Sequence, residues 1–479
     1  MLTRLDYIYM TALVFVFSIL AFFRLGNTYA PETCYLTDSQ NCDIVLDFGE
    51  YIDVATISVF LGNQNTRHFS ISAFNEVTGS WEIINGDAIA ESVFAWNTID
   101  LYYRLRYLGI VATDESAMLN EMVFKKTDGT IILPLNYREY PSLFDEQNMY
   151  PEVKTYLTGT MFDEVYHGRT AYEFLHKLTT YETTHPHLGK ILISFGIIAF
   201  GMNPFGWRFM SVIFGILIIP LMYLFAKKLF ENSFIAAATT GLLVFDCMHY
   251  TLSRIATIDI FAAFFILLMY YFLYEYFLKD DSYRKSKVTF SDKIPPRDVL
   301  LPLALCGISM AFGVATKWTG VYAGLGLGVL FIWHTLTHFP KGQVLRLFGF
   351  CCVFFIFIPL VVYALCFIPV VGYTEYTGLI DKVIKGTQYM FNYHSTLVAE
   401  HYYSSPFYEW PIIWMPLLDA NDAVDSVRVS AVSCMGNPAI WWTGIFCEFY
   451  VLFRWIIKKD KKAGFLFIAY LAQYVPWMS

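Results

Sequence analysis

The sequence predicts a polytopic α-helical membrane protein with an extracytoplasmic β-sandwich domain. Its composition, a series of apolar runs of bilayer length, and one stretch of period-two patterning lead there. Of 479 residues, 56% are hydrophobic and only 15% charged, and the mean hydropathy is +0.46. Soluble domains carry roughly 25% charged residues, so a water-soluble enzyme is excluded. A net charge of -8 argues against nucleic acid as a partner, since phosphate binding needs an extended basic patch.

The first apolar segment, Tyr7 to Phe23, is long enough to cross a bilayer and lacks a small-residue cleavage site, so residues 1–28 read as a retained anchor. From Asp43 to about Pro134, alternating β-formers such as Val54-Ala55-Thr56-Ile57-Ser58-Val59-Phe60 are separated by turn residues, the pattern of an antiparallel β-sandwich over residues 29–140. LDFGEY, ISVFLGN, HFSISAFNEVTGSWEII, YYRLRYLGI and LNEMVFKK follow an order that resembles the discoidin or galactose-binding-like jelly roll. That resemblance implies a carbohydrate-binding module, with a structural lid or partner platform as the alternative, and it makes Trp81 a core residue. Cys34 and Cys42 lie close together in a polar stretch, as a disulfide or as two free thiols.

Further apolar runs lie at about 207–226, 233–250, 257–277, 299–316, 319–337, 346–370, 438–456 and 463–478, which makes about nine crossings. The run Leu188 to Gly201 is left out as too short and is read as a helix at the outer interface. With that choice, Lys227-Lys228, Arg284-Lys285-Lys287, Lys341-Arg346 and Lys458-Lys459-Lys461-Lys462 all share the side of the N-terminus, which the positive-inside rule makes cytoplasmic. The outside then holds the sandwich, a loop with interfacial helices (141–206) and a second loop (371–437). The bundle proper is 207–370, with C-terminal spans at 438–479.

The charges within this topology gather at its outer end. Asp163-Glu164, His185-Pro186-His187-Leu188-Gly189-Lys190, Trp207-Arg208, Arg254 to Asp259 and Lys317 all fall at span ends or on the interfacial helix. Charges inside a membrane are expensive, about 2.5–3.5 kcal/mol each on insertion scales, so this grouping predicts a shared polar cavity. Cations there suit an anionic lipid headgroup, and a carboxylate suits a general base. Simpler readings are an Arg254–Asp259 pair that only fixes helix packing, and a snorkelling Arg208.

FDEVYHGRTAYEFL, THPHLGK, NPFGWR, SRIATID, KWTGVYAG and FNYHSTLVAEHYYSSPFYEWP together resemble the bacterial form of the protein O-mannosyltransferase family of GT-C glycosyltransferases. The resemblance is loose over residues 1–30 and close over about 160–479. It implies a membrane enzyme that moves mannose from a polyprenyl phosphate to Ser or Thr hydroxyls of secreted or membrane proteins at the extracytoplasmic face. It makes Asp163 the catalytic base, Glu164 beside it an acceptor-binding or supporting carboxylate, and Arg208, with Arg254 and Lys190 as weaker carry-overs, the contacts to the donor phosphate. His185, Asp259, Lys317, His394, Glu409 and Trp410 are expected in supporting roles. No metal or other cofactor is expected, since the leaving phosphate is already ionised, and the resemblance also allows a dimer.

Three departures from the family pattern stand out. His187 replaces the second Pro of a His-Pro-Pro turn, Phe407 replaces a Trp, and the loop 371–437 lacks the β-trefoil of eukaryotic members. The last apolar stretch stops at Pro476-Trp477-Met478-Ser479 where family members continue, so a truncated chain is expected. A lipid or cell-wall glycan acceptor remains the alternative. A lipid or sugar transporter is disfavoured by the one-sided charges and the lack of an internal repeat.

Overall fold

The computed structural model describes residues 2–37, 43–63, 65–113, 117–285, 295–338, 341–372, 376–398 and 404–478. Cys42, Lys287 and the His401-Tyr402-Tyr403 run lie outside the described residues. The chain opens with α1 (Arg4–Phe22) and continues through β1 (Tyr35–Leu36), β2 (Asp43–Leu61), β3 (Arg67–Asn75), β4 (Ser80–Ala90), β5 (Ala95–Ala112), β6 (Met118–Lys126) and β7 (Ile131–Ile132). The helices α2 (Glu164–His176), α3 (Leu188–Phe200), α4 (Pro204–Phe230), α5 (Ser233–Val244), α6 (Cys247–Leu252), α7 (Asp259–Lys285), α8 (Arg297–Thr316), α9 (Thr319–His338), α10 (Lys341–Cys352) and α11 (Ile358–Leu365) follow. Last come α12 (Leu379–Thr396), the hairpin β8 (Leu417–Ala423) and β9 (Val429–Cys434), α13 (Pro438–Lys458) and α14 (Lys461–Tyr474).

Local chemistry sets several helix starts. Thr3 and Asp6 form a capping box at α1, Asn203 followed by Pro204 opens α4, and Asn232, Asn437 and Asp460 cap α5, α13 and α14. Each cap satisfies N–H groups that the helix itself leaves unpaired. Among the described residues, seven helical segments are long and apolar enough to cross a bilayer: α1, α4, α7, α8, α9, the joined α10–α11 and α13.

The two remaining predicted crossings, 233–250 and 463–478, differ from expectation. The first breaks into α5, 12 residues long and so about 18 Å, and α6. The break falls at Asp246, which accepts the His249 and Asn437 N–H groups at 3.2 and 2.8 Å and the Trp441 indole N–H at 3.2 Å. The second is the 14-residue α14 and a 3-10 turn. The segment read as interfacial is the 13-residue α3. It approaches α4 so closely that a Cβ at Gly196 would lie 2.3 Å from the Gly206 carbonyl oxygen.

One end of the bundle collects the charges expected on the N-terminal side. Lys227 pairs with the buried Asp6 at 3.1 Å, Lys228 with Glu275, and Lys462 with Glu231 at 2.9 Å. The sandwich lies at the other end. Its strands form one continuous antiparallel sheet, in the order β1-β6-β2-β5-β3-β4 with β7 on β6, rather than two separate sheets. β2 and β5 run 19 and 18 residues and pass through register shifts at Asp47–Ile52 and Val54–Thr56. Such irregularities bend and twist a strand, and the curled sheet encloses its own core, including Leu46, Ile57, Leu108 and Phe124. Trp81 is not in that core. It lies on the edge strand β4, 44% exposed, with its ring edge against Phe74.

Candidate active site

The α2 helix is clamped between the sheet and the bundle. Arg169 donates to the side chains of Asn63 and Asn65 in the β2–β3 turn at 3.0 and 2.9 Å and to Glu173 at 2.9 Å. Phe60, Phe94 and Trp96 of the sheet region share one core with Ala171, Ile193 and Trp207. The start of α2 thereby faces the first turns of α4 and α7 and the end of α8. Phe162, just before it, adopts φ +47°. A non-glycine residue there costs on the order of 1–3 kcal/mol and persists only where its surroundings over-determine it. Here the Glu164 carboxylate accepts the Met161 N–H at 3.0 Å and bridges that turn.

Glu164 and Arg208 are both fully buried and form a bidentate pair with two N···O distances of 2.6 Å. Glu164 also accepts the Trp207 indole N–H at 3.2 Å and the Ala256 N–H at 3.0 Å. Arg208 spends its remaining N–H groups on the carbonyls of Leu25, Tyr156 and Gly159 at 2.8–3.1 Å. All five guanidinium donors are therefore engaged. Neither residue has free surface for a ligand, so Glu164 does not meet the acceptor and keeps the supporting role, and Arg208 does not meet the donor phosphate; together they tie α2, α4 and the α1–sheet linker into one unit.

The two weaker phosphate contacts are also occupied. Lys190, fully buried, donates to the carbonyls of Glu182 and His185 at 2.9 and 3.0 Å and pairs with the Glu182 carboxylate. Arg254 donates to the carbonyls of Ala21, Phe23 and Arg24 at 2.7–3.2 Å, satisfying the open C-terminal end of α1. Arg254 does not pair with Asp259. Asp259 instead meets Lys317 at 2.6 Å, in a pair whose side chains stay 39% and 25% exposed. Asp259 begins α7 and Lys317 ends α8, so each charge sits at the helix end whose dipole favours it.

Asp163 contrasts with its neighbour. Its carboxylate makes no capping bond and has no hydrogen-bond donor among the described residues. Burial raises its pKa above the usual aspartate value; the Asp259 charge adds to this, while Lys317 and His185 act against it. His185 lies beside it, its Nδ1 3.3 Å from the Glu182 carboxylate. From the second loop, His394 on α12 donates its Nε2–H to the Thr184 carbonyl at 2.9 Å and lies 5.0 Å, ring to ring, from His185. Asp163, His185, Asp259, Lys317 and His394 are thus brought together. Glu409 and Trp410 belong elsewhere: their short helix packs on the chain's last helical segment, with Trp410 5.6 Å from Trp477.

Two groups at this end had no sequence signal strong enough to single them out. Glu182 accepts the Thr184 and His185 N–H groups at 2.7 and 3.1 Å and so shapes the His-Pro-His turn. Burial opposes its charge, but Lys190 and His185 outweigh it and hold its pKa well below the usual value. His167 is buried beside it, and burial drives its pKa down to about 3, so the ring is neutral. The spacing of Glu182, three residues before His185, is the one signal that could have found it.

Residues 197–371 match the family model described as dolichyl-phosphate-mannose-protein mannosyltransferase. That stretch runs from within α3 to just beyond α11 and does not include Asp163. A polyprenol-phosphate-mannose–protein mannosyltransferase of Mycolicibacterium smegmatis is 24% identical over 67% of this chain and 71% of its own length. One of Corynebacterium glutamicum is 23% identical over 62% and 65%. Among solved structures, the Saccharomyces cerevisiae protein O-mannosyltransferase Pmt1–Pmt2 complex bound to the sugar donor superposes with TM-score 0.37 at 22% identity, covering 43% of this chain and 30% of that one. Apo ArnT of Cupriavidus metallidurans gives TM-score 0.42 at 16% identity, over 66% and 50%. Over its membrane core and along much of its length, the chain is similar to protein mannosyltransferases.

Proposed function

We propose that the protein is a GT-C glycosyltransferase that moves a mannosyl residue from a polyprenyl-phosphate donor to Ser or Thr hydroxyls of exported proteins, with Asp163 as the general base. The observation that carries this is the Asp163 carboxylate, the one acid of its pair with no donor bound, set beside the Lys317–Asp259 pair in a family membrane core. The acceptor oxygen attacks the anomeric carbon as the bond from that carbon to the phosphate oxygen breaks. The electron pair leaves with the phosphate, and the hydroxyl proton passes to Asp163. With a β-linked donor, this single displacement inverts the anomeric centre. The raised pKa of Asp163 suits proton uptake, which is most efficient when the base is poised near the working pH.

Lys317 is the cation we place nearest the leaving phosphate, in the role that the family resemblance implied for Arg208, Arg254 and Lys190. Glu164, Arg208 and Lys190 then act as the frame. The step assigns no work to a metal or cofactor. The sandwich packs against α2 beside this site, which suits an acceptor-facing or carbohydrate-binding role, and the exposed Trp81 is the residue to probe for the latter. The end bearing Asp163 is placed outside the cytoplasm and the Asp6–Lys227 end inside.

The test is transfer of labelled mannose from polyprenyl-phosphate-mannose in membranes containing the protein. Asp163→Asn is expected to lower transfer by about 10²- to 10⁴-fold with the protein still inserted. Transfer by that variant at the wild-type rate sinks the assignment. Label appearing in lipid or cell-wall glycan instead of a Ser/Thr-rich protein redirects the acceptor and leaves the base in place.

A further inference from the structure

Between Glu164 and Phe174 the helix α2 has one exposed residue, Tyr166, at 42%. Its N–H donates to the Asp163 carbonyl at 3.0 Å, so the two residues stand three apart across the first turn. Side chains at that spacing share a helix face, about 5–6 Å apart at Cβ. The chain then returns to the same place. Tyr181, in the connection from α2 to α3 and 37% exposed, sets its ring nearly parallel to that of Tyr166, with 8° between the planes and 6.2 Å between the centroids.

The Tyr181 ring is braced from behind. Its N–H donates to the Glu173 carboxylate at 2.8 Å, and the Arg169 guanidinium carbon lies 4.0 Å from its ring centroid, where the ring face attracts a cation. Arg169 is in turn held by Glu173 and by Asn63 and Asn65, which ties the pair to the sheet domain. Neither tyrosine hydroxyl makes a hydrogen bond among the described residues. Covering Arg169 needs one ring, and nothing in the packing of α2 calls for a second beside the Asp163 turn. Tyrosine offers a large, stiff contact area with a polar tip, which is why it concentrates in binding surfaces.

We infer that Tyr166 and Tyr181 form the docking platform for the acceptor polypeptide: their rings hold an extended Ser/Thr segment so that one hydroxyl reaches Asp163. The inference rests on the reading of Asp163 as the base and of a protein as the acceptor. In an extended chain, residues two apart project to the same side and lie about 6–7 Å from each other. That matches the spacing of Tyr166 from Asp163, so a side chain two positions from the modified Ser or Thr falls on the rings. An apolar side chain there is favoured over none. No bond is made or broken at either tyrosine.

The experiment uses the full chain in membranes, polyprenyl-phosphate-mannose, and two synthetic peptides with a single Thr. One carries Leu two positions to either side of it, the other Gly. Wild type is expected to show a KM for the Leu peptide about three- to tenfold below that for the Gly peptide, the size of one aromatic contact. Tyr166→Ala and Tyr181→Ala should each raise the KM for the Leu peptide to that for the Gly peptide, with kcat at saturation and the donor KM unchanged. Tyr166→Phe, which keeps the ring, should keep the preference. Equal KM values in wild type, or Ala variants with the wild-type preference, overturn the inference. So does a donor KM that rises with the peptide KM, which would set the rings against lipid, or a matching loss of thermal stability, which would make them packing alone. Asp163→Asn run in parallel separates the inference from the function it rests on. Full transfer by that variant, or label passing only to lipid or glycan, removes both, whereas loss there beside an unaltered Tyr166→Ala removes the inference alone.

Discussion

Glu164 accepts hydrogen bonds from Arg208, Trp207, Met161 and Ala256, whereas Asp163 accepts none from described side chains. The two acids are adjacent in sequence, so their adjacency is legible but their division of labour is not: apart from Met161, the partners that occupy Glu164 come from 43 to 92 residues further along the chain. The same distance misleads about Arg208. A cation at the start of a membrane helix reads as a phosphate contact until all five of its donors are traced. The two roles make opposite predictions for Arg208→Lys. Lysine cannot reproduce the bidentate fork, and breaking a buried pair costs about 3–5 kcal/mol. The expected result is a large loss of yield and thermal stability with an unchanged donor KM in the molecules that fold. A raised KM at wild-type stability would restore Arg208 to the phosphate.

At the scale of elements, period-two patterning located the strands, and bilayer-length apolar runs located most of the helices. What escaped were the breaks, which depend on distant partners. In the run 233–250 Asp246 is the one acidic or basic residue besides His249, and the Asn437 N–H and the Trp441 indole show why the helix stops there. The curl of the sheet was equally hidden, because it arises from register shifts along two long strands. On β6, Glu121 is fully buried and accepts the Glu146 N–H at 2.8 Å. Burial raises its pKa to about 8, with the Asp145 and Glu146 charges adding to it. An acid whose folded pKa is raised contributes stability that is fully present below its unfolded value and is lost as pH rises through the folded one. The sheet should therefore unfold at lower temperature at pH 9 than at pH 6. Glu121→Gln, which cannot ionise, should flatten that dependence in thermal melts of the whole protein. An unchanged slope would place the titrating group elsewhere.

Across the whole molecule, charge is divided between two ends with different chemistry. At one, Asp6, Lys227, Lys228, Glu231, Glu275 and Lys462 neutralise each other in pairs that staple helix termini together. At the other, Glu164, Lys190, Arg208 and Arg254 are equally committed, whereas Asp163 and the partly exposed Lys317–Asp259 pair are left for a ligand. A reactive group confined to one end works only if that end faces the compartment where donor and acceptor meet. The proposed orientation puts the opposite end, with its excess of Lys, in the cytoplasm. Cysteines placed at Val77, 94% exposed in the sheet domain, and at Lys459, between α13 and α14, test this in intact cells. A membrane-impermeant maleimide should label position 77 and reach position 459 only after permeabilisation. The reverse pattern would put Asp163 on the cytoplasmic side and separate it from exported acceptors. Labelling of both positions in sealed cells would mean that the two ends lie on one face, which the run of α4 and α7 from the Glu164 end to the Lys228–Glu275 pair does not allow.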